Sequence, residues 1–166
     1  MTEPDVQMLA DKQAITEVIY RYCRALDRMD ANAARAIWHD GGTADYGPLF
    51  AGTGEEFVEW VWRAHAAMAR HSHQITNILI EVDGDTASSE SYVTVALRTK
   101  AGAGVAVEIE ARGRYVDRWS RRGGRWAIDH RRFVQDLSRT HDADPLEPDD
   151  GVSRRDRSDP SYEVLS

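Results

Sequence analysis

The chain has almost no cysteine and no long apolar run. Its single cysteine, Cys23, excludes an intrachain disulfide framework and any zinc site built from several cysteines. No stretch approaches the roughly 18 apolar residues that a membrane helix needs, and the opening MTEPDVQMLADKQ lacks the basic and apolar segments of a signal peptide. We therefore expect a cytoplasmic protein without a membrane partner, in which Cys23 is a small buried thiol.

Positive charge is also in short supply. A net charge of -7 argues against a general nucleic-acid binder, whose affinity would depend on neutralising phosphates. One stretch is an exception, because residues 112–132 hold eight arginines and two aspartates. These alternate with apolar residues, so we interpret most of the stretch as the solvated face of a hairpin. The length of 166 residues, with 42% hydrophobic and 30% charged, indicates one globular domain.

Helical spacing dominates the first part of the chain. Apolar residues recur at helical intervals between Ile15 and Leu26, which predicts an amphipathic helix over about residues 8–29. Asp30 is expected to cap a short second helix over residues 31–38, which HDGG would end before a short strand in TADYG.

A third helix and a change of period follow. Thr53 and Glu56 have the spacing of a capping box that would open this helix. After Arg70 the pattern alternates, and the odd positions of 71–79 are predicted to share one strand face. Three further strands follow, with DGD and SRRGG as hairpin turns. Helices first and four antiparallel strands afterwards predict an α+β domain, with the helices against one face of a curved sheet.

The end of the chain differs in composition. We place the domain at residues 1–137 and a tail at 138–166, which is rich in Asp, Pro, Ser and Arg and has no apolar period. Our hypothesis is that this tail docks on the body or on a neighbouring subunit, with Tyr162, Val164 and Leu165 in an apolar groove.

Two residues carry the strongest chemical hypothesis. Asp27 falls in the last turn of the first helix, where the negative end of the helix dipole would raise its pKa. His73 begins the first long strand. If the two meet, the carboxylate would fix the tautomer of the imidazole and make it a general base. The alternative is an exposed aspartate and a satisfied core histidine.

A metal site is the weaker interpretation of the same region. His71 and His73 lie on one strand face, and His65 and His39 are the candidates for a further ligand. Because nothing fixes the third ligand, we expect no metal.

Several segments together resemble the SnoaL-like branch of the nuclear transport factor 2-like superfamily: IYRYCRALDRMDANAARAIWHDGGTADYG, HSHQITNILIEVDGDTA and GGRWAIDHRR. The resemblance covers about residues 8–137. It implies a cone-shaped, barrel-like fold, in which a strongly curved sheet is wrapped by three helices around a deep, mostly apolar pocket. It also implies elimination of water or HCl without metal or cofactor.

The resemblance also implies roles for individual residues. Asp27 and His73 match the catalytic pair of the family. Tyr22 and Tyr46 match pocket tyrosines of its dehydratases, and Arg131 matches a pocket arginine of its dehydrochlorinase. A second pocket histidine, present in one dehydratase, has no counterpart here.

Three functions stay open at this point. The first is a cofactor-independent lyase acting on a hydrophobic, aromatic or polycyclic hydroxy-carbonyl compound. The second is an isomerase or hydrolase using the same pair. The third is a non-catalytic small-ligand binder or structural subunit of the same fold. For each of them we expect a homo-oligomer, a dimer or trimer.

Overall fold

Three helices pack against one curled sheet of six strands in the computed structural model, which describes residues 3–100, 105–143 and 153–165. The helices are α1 (Glu3–Asp27), α2 (Ala31–Arg35) and α3 (Gly54–Ala66). The strands are β1 (Trp38–Asp45), β2 (Ala51–Thr53), β3 (Met68–Asp83), β4 (Thr86–Thr99), β5 (Ala106–Arg122) and β6 (Arg125–Ala143), and a 3₁₀ turn follows at Pro160–Glu163. Within these residues, none of the helices has the length and apolarity that crossing a membrane requires.

The sheet has the order β2-β1-β6-β5-β4-β3, so it is curled but not closed. Every neighbouring pair is antiparallel except β1 and β6, which run parallel. The predicted α+β class is therefore confirmed, but the sheet is mixed. The predicted long hairpins are present, with turns at Gly84 and at Gly123 and Gly124.

The segment predicted to end the second helix is part of β1 instead. Helix α2 stops at Arg35, and the backbone N–H of Ile128 donates to the carbonyl of Ile37 at 2.9 Å. Gly41 has a φ of +78°, and a Cβ at Gly42 would lie 2.8 Å from the Ile128 carbonyl oxygen. The two glycines therefore let β1 bulge and approach β6 rather than terminate.

A second bulge changes the faces of β3. The pairing with β4 shifts register between Thr76 and Leu79, and Asn77 adopts a positive φ of 49°. Before the bulge, the odd positions 71, 73 and 75 point inward; after it, Ile78 packs against the core and Leu79 is 69% exposed. The prediction of one continuous face from 71 to 79 is wrong beyond position 75, because an extra residue inverts the alternation.

Local capping signals are present as predicted. The Thr53 side chain accepts a hydrogen bond from Glu56 N, and the Glu56 carboxylate accepts one from Thr53 N, which completes the capping box of α3. Asp30 caps α2 by accepting from Ala33 N at 3.1 Å.

The core lies between α1 and the concave face of the sheet. Helix α1 contributes Ile15, Ile19, Tyr22 and Leu26, which are at most 1% exposed. Burying this stripe is the main force that holds α1 on the sheet. It also fixes the last residue of α1, Asp27, beside the start of β3.

The segment comprising residues 153–165, hereafter the C-terminal segment, contacts the end of α1 through polar groups. The Tyr162 hydroxyl donates to Asp30 at 3.1 Å, and Asp159 forms an ion pair with Arg28 at 3.1 Å. Val164 and Leu165 are 80% and 60% exposed, so these two side chains do not insert into an apolar groove of the described part of their own chain, and docking on a neighbouring subunit stays a prediction. Strand β6 continues to Ala143, past the predicted start of the tail, and residues 144–152 lie outside the described part of the chain.

Candidate active site

Asp27 and His73, predicted as a pair, are in direct contact. The Nδ1 atom of His73 lies 2.7 Å from Asp27 Oδ1, and the backbone N–H of His73 donates to Asp27 Oδ2 at 3.0 Å. A carboxylate only accepts, so Nδ1 carries the hydrogen. Two hydrogen bonds from the same residue fix the ring relative to the helix end.

The charge state of Asp27 differs from the sequence-based expectation. Burial by itself would raise the pKa of this carboxyl, but hydrogen bonds from His71 and His73 outweigh it and lower the pKa to about 2. The expected increase from the helix dipole is wrong because these donors act at contact distance. Asp27 is therefore ionised at neutral pH.

His71 is a further member of the site, which the sequence analysis considered only as a metal ligand. It is buried, and its Nδ1 lies 3.4 Å from Asp27 Oδ1. Its ring packs against the ring of His65 at a tilt of 32°, with 4.4 Å between centroids. Burial, followed by the neighbouring His71 and His73, lowers the pKa of His65 to about 3. The sequence signal for His71 was its position two residues before His73, which places both side chains on the same strand face.

The same residues are the ones that could hold a metal ion. The ligand atoms of Asp27, His71 and His73 lie within 4.8 Å of one another. The carboxylate of Asp27 is thus the third candidate ligand, which was not identified from the sequence. His39 lies elsewhere, with its Nε2 2.9 Å from the Ser120 carbonyl oxygen. The present contacts are hydrogen bonds, so an ion would have to displace hydrogens from both Nδ1 atoms.

An open groove of about 530 Å³ runs between α1 and β3, next to the pair. Asp27 and His73 line it together with Tyr20, Arg24 and Ile75. The His73 side chain is only 4% exposed, and its Nε2 has no hydrogen-bond partner in the described ranges of the chain. Nε2 is therefore the ring atom left for a bound molecule.

The two predicted pocket tyrosines meet in the interior. The hydroxyl oxygens of Tyr22 and Tyr46 are 3.0 Å apart, and the Tyr46 ring stacks between Phe57 and Phe133 at centroid distances of 4.6 and 5.3 Å. Burial raises the pKa of both tyrosines well above the usual value. Both hydroxyls therefore stay protonated, and because one donates to the other, only the second has a hydrogen left for another acceptor.

Arg131 points inward, beneath these tyrosines, and is fully buried. Its guanidinium forms two hydrogen bonds with Asp117, at 2.8 and 2.7 Å, and lies 4.4 Å from the Tyr22 ring centroid and 4.1 Å from that of Tyr115. Its Nη1 has no hydrogen-bond partner among the described residues. The next residue, Arg132, is exposed and donates to Asp45, so the two adjacent arginines lie on opposite faces of the strand.

Sequence reasoning missed Asp117. It faces Arg131 directly across the β5–β6 pair and is 1% exposed. The available signal was its place between Tyr115 and Trp119 in the inward alternation of β5.

Cys23 lies close to both groups of residues. The thiol is buried, and burial raises its pKa to about 12, with the charge of Arg131 lowering the value and that of Asp27 raising it. A thiol in this environment is an unreactive packing group, as expected.

The curled sheet with three helices confirms the cone-shaped fold that the resemblance implies, and solved structures share this fold. The chain belongs to the SnoaL-like domain family, whose model matches residues 7–132.

Solved structures with this fold include proteins with lyase names. Hexachlorocyclohexane dehydrochlorinase LinA-type3 from Novosphingobium barchaimii is 18% identical, with a TM-score of 0.74, 87% of this chain and 99% of that chain covered. A candidate scytalone dehydratase from Novosphingobium aromaticivorans is 20% identical, with a TM-score of 0.70 and coverage of 86% and 97%. A variant of Rv3472 from Mycobacterium tuberculosis, of unknown function, is 28% identical, with a TM-score of 0.68 and coverage of 82% and 77%. No functionally curated protein matches the sequence.

Proposed function

We propose that this protein is a cofactor-independent lyase that eliminates water from a hydrophobic hydroxy-carbonyl compound of aromatic or polycyclic type. The observation that carries the proposal is the 2.7 Å contact between Asp27 Oδ1 and His73 Nδ1, which leaves Nε2 of the ring for a substrate. Two structural neighbours with lyase names, 18% and 20% identical to this chain, share its fold.

His73 is the proposed base. With Nδ1–H donated to Asp27, the Nε2 lone pair accepts the proton from the carbon next to the substrate carbonyl. The C–H electron pair forms the enolate, and the C–O bond then breaks as the His73 imidazolium gives its proton to the β-hydroxyl group, which leaves as water. Asp27, ionised at neutral pH, stabilises the imidazolium that forms.

Tyr22 and Tyr46 are the proposed donors to the enolate oxygen. When one hydroxyl donates to the other, the second still has a hydrogen for a ligand oxygen. Arg131 contributes positive charge against the Tyr22 ring and an unpartnered Nη1, which would favour a developing negative charge.

A substrate panel tests the proposal. Purified protein is incubated with aromatic and polycyclic β-hydroxy ketones, and loss of water is followed by mass spectrometry. We expect Asp27→Asn and His73→Ala each to abolish the elimination, and the exposed control Asp83→Asn to retain it. Retention of elimination by both variants of the pair would overturn the mechanism.

The same panel separates the remaining functions. Deuterium uptake from heavy water without elimination would replace the lyase by a proton-transfer enzyme such as an isomerase. Binding without either reaction would favour a small-ligand carrier. The predicted homo-oligomer stays a prediction, and sedimentation equilibrium at micromolar concentration measures it.

A further inference from the structure

The C-terminal segment reaches the histidine cluster through one arginine. Nη1 of Arg155 lies 2.8 Å from the carbonyl oxygen of His65 and 3.2 Å from Nε2 of His71. Arg155 is separated from these residues by more than 80 positions in the sequence. This contact therefore exists only because the segment packs on the body.

The segment is held in a way that fixes the position of Arg155. The neighbouring backbone N–H of Arg154 donates to Asp159 Oδ2 at 2.9 Å, and Ser161 N donates to Asp159 Oδ1 at 3.0 Å. Asp159 is 5% exposed and pairs with Arg28 near the end of α1. The backbone next to Arg155 is thus tied to the helix that carries Asp27.

The contact with Arg155 determines which nitrogen of His71 carries the hydrogen. A guanidinium has donors and no acceptor, so Nε2 of His71 must accept. The hydrogen of the neutral ring then sits on Nδ1, which lies 3.4 Å from Asp27 Oδ1. Both neighbours of the ring, one a donor and one an acceptor, require the same tautomer.

We propose that Arg155 is a positioning residue for the Asp27 and His73 pair, acting through His71. By keeping His71 as an Nδ1–H donor, it gives Asp27 Oδ1 a second donor besides His73. Two donors from neighbouring positions of β3 restrict the carboxylate to the orientation in which it holds the His73 ring. The effect on catalysis rests on the function proposed above, whereas the tautomer of His71 does not.

Nuclear magnetic resonance of the full-length chain, labelled with ¹⁵N-histidine, tests the tautomer. Side-chain nitrogen shifts distinguish protonated from unprotonated ring nitrogens, and a His71→Gln spectrum identifies His71 among the six histidines. At about pH 8, where histidine is ordinarily neutral, we expect hydrogen on Nδ1 of His71 in the wild type. A wild-type His71 with hydrogen on Nε2 would overturn the proposal without any variant of Arg155.

Variants of Arg155 then test whether this residue sets the tautomer of His71. In Arg155→Ala we expect the Nε2–H form of His71 to become populated, and in Arg155→Lys, which keeps a cationic donor, the wild-type form to persist. Arg157→Ala is the matched control, because this side chain belongs to the same segment and is 81% exposed. Wild-type nitrogen shifts of His71 in Arg155→Ala would contradict the proposal.

Kinetics separate this inference from the proposed function. With a substrate from the elimination panel, Arg155→Ala is expected to lower kcat on the order of tenfold with an unchanged KM, and Arg157→Ala to change neither. An altered tautomer with unchanged kcat would refute the positioning role. A panel without any substrate would count against the proposed function, while the shift measurement would still decide the tautomer.

Discussion

Two carboxylates, Asp117 and Asp27, have partners of different chemical kinds. Asp117 pairs with Arg131, whose guanidinium stays charged at any ordinary pH, and both side chains are fully buried. Asp27 pairs with His73, whose imidazole has one nitrogen that donates and one that can accept a proton, beside an open groove. The first arrangement supplies a constant field, and the second can move a proton.

The two carboxylates also differ in the residues that surround them. Asp117 and Arg131 lie among aromatic rings, including those of Tyr22 and Tyr115. Asp27 lies among imidazoles, with His71 and His65 behind His73. A catalytic proton transfer needs the second environment, because there Nε2 of His73 has no hydrogen-bond partner among the described residues.

The largest expected effect is the loss of the Asp117 charge. Asp117→Asn would leave the Arg131 guanidinium buried without a counter-charge, which costs about 3 kcal/mol or more of unfolding free energy. Urea denaturation measures it. The control is Asp129→Asn, whose pair with Arg122 is partly exposed and should cost less than about 1 kcal/mol. Similar losses in both variants would remove the distinction between a buried and a surface pair.

Asp27 should instead affect the stability of the protein at acid pH. Its pKa is about 2 in the folded protein, against 3.8 ordinarily, so the unfolded chain binds this proton first as the pH falls. The carboxylate therefore contributes about 2 kcal/mol above about pH 4, which is lost as the pH falls towards 2. The Asp27→Asn variant should therefore lose less unfolding free energy than the wild type as the pH falls from about 4 to about 2. Parallel stability curves for wild type and variant between about pH 5 and 2 would contradict it.

His65 should affect the stability of the protein in a higher pH range than Asp27 does. Its pKa is about 3 in the folded protein and ordinarily 6.5, so between these values only the unfolded chain takes up the proton. Stability should therefore fall by about 2 kcal/mol as the pH is lowered to about 5. His65→Phe keeps a ring against His71 and should lose less. The difference between the two proteins at about pH 8 gives the part unrelated to protonation, and an equal loss in both would refute this origin.

The smallest expected effect concerns the tyrosine pair. Tyr46→Phe removes the hydrogen bond to the Tyr22 hydroxyl and leaves the stacked ring, at a cost of about 1 kcal/mol. Thermal or urea unfolding measures it, with Tyr20→Phe, at 49% exposure, as the control that should be near neutral. A double variant, Tyr22→Phe with Tyr46→Phe, should lose less than the sum of the single losses, because both remove the same contact.

Some features of the site follow from short stretches of sequence. The apolar stripe of α1 places Asp27 at the helix end, and alternation in β3 puts His71 and His73 on one face as far as Ile75. Thr53 and Glu56 define the start of α3 because their capping bonds join residues three apart. Each of these needs only local geometry, and each was predicted.

Other features depend on pairing at a distance. The bulge at Asn77 reversed the faces of β3, and the parallel partner of β1 was not predicted. Asp117 was missed because its partner Arg131 lies on another strand. The reversed shift of the Asp27 pKa has the same origin, since its donors lie 44 and 46 positions away.

The sequence alone therefore determined the class of fold, the helix ends and the residue types available for proton transfer, because periodicity and capping act over a few residues. The tertiary structure alone decided which groups meet: Asp27 with two histidines, Arg131 with Asp117, and Arg155 with His71. These contacts set protonation states, and protonation depends on burial and on charges a few ångströms away in space, whatever their separation along the chain.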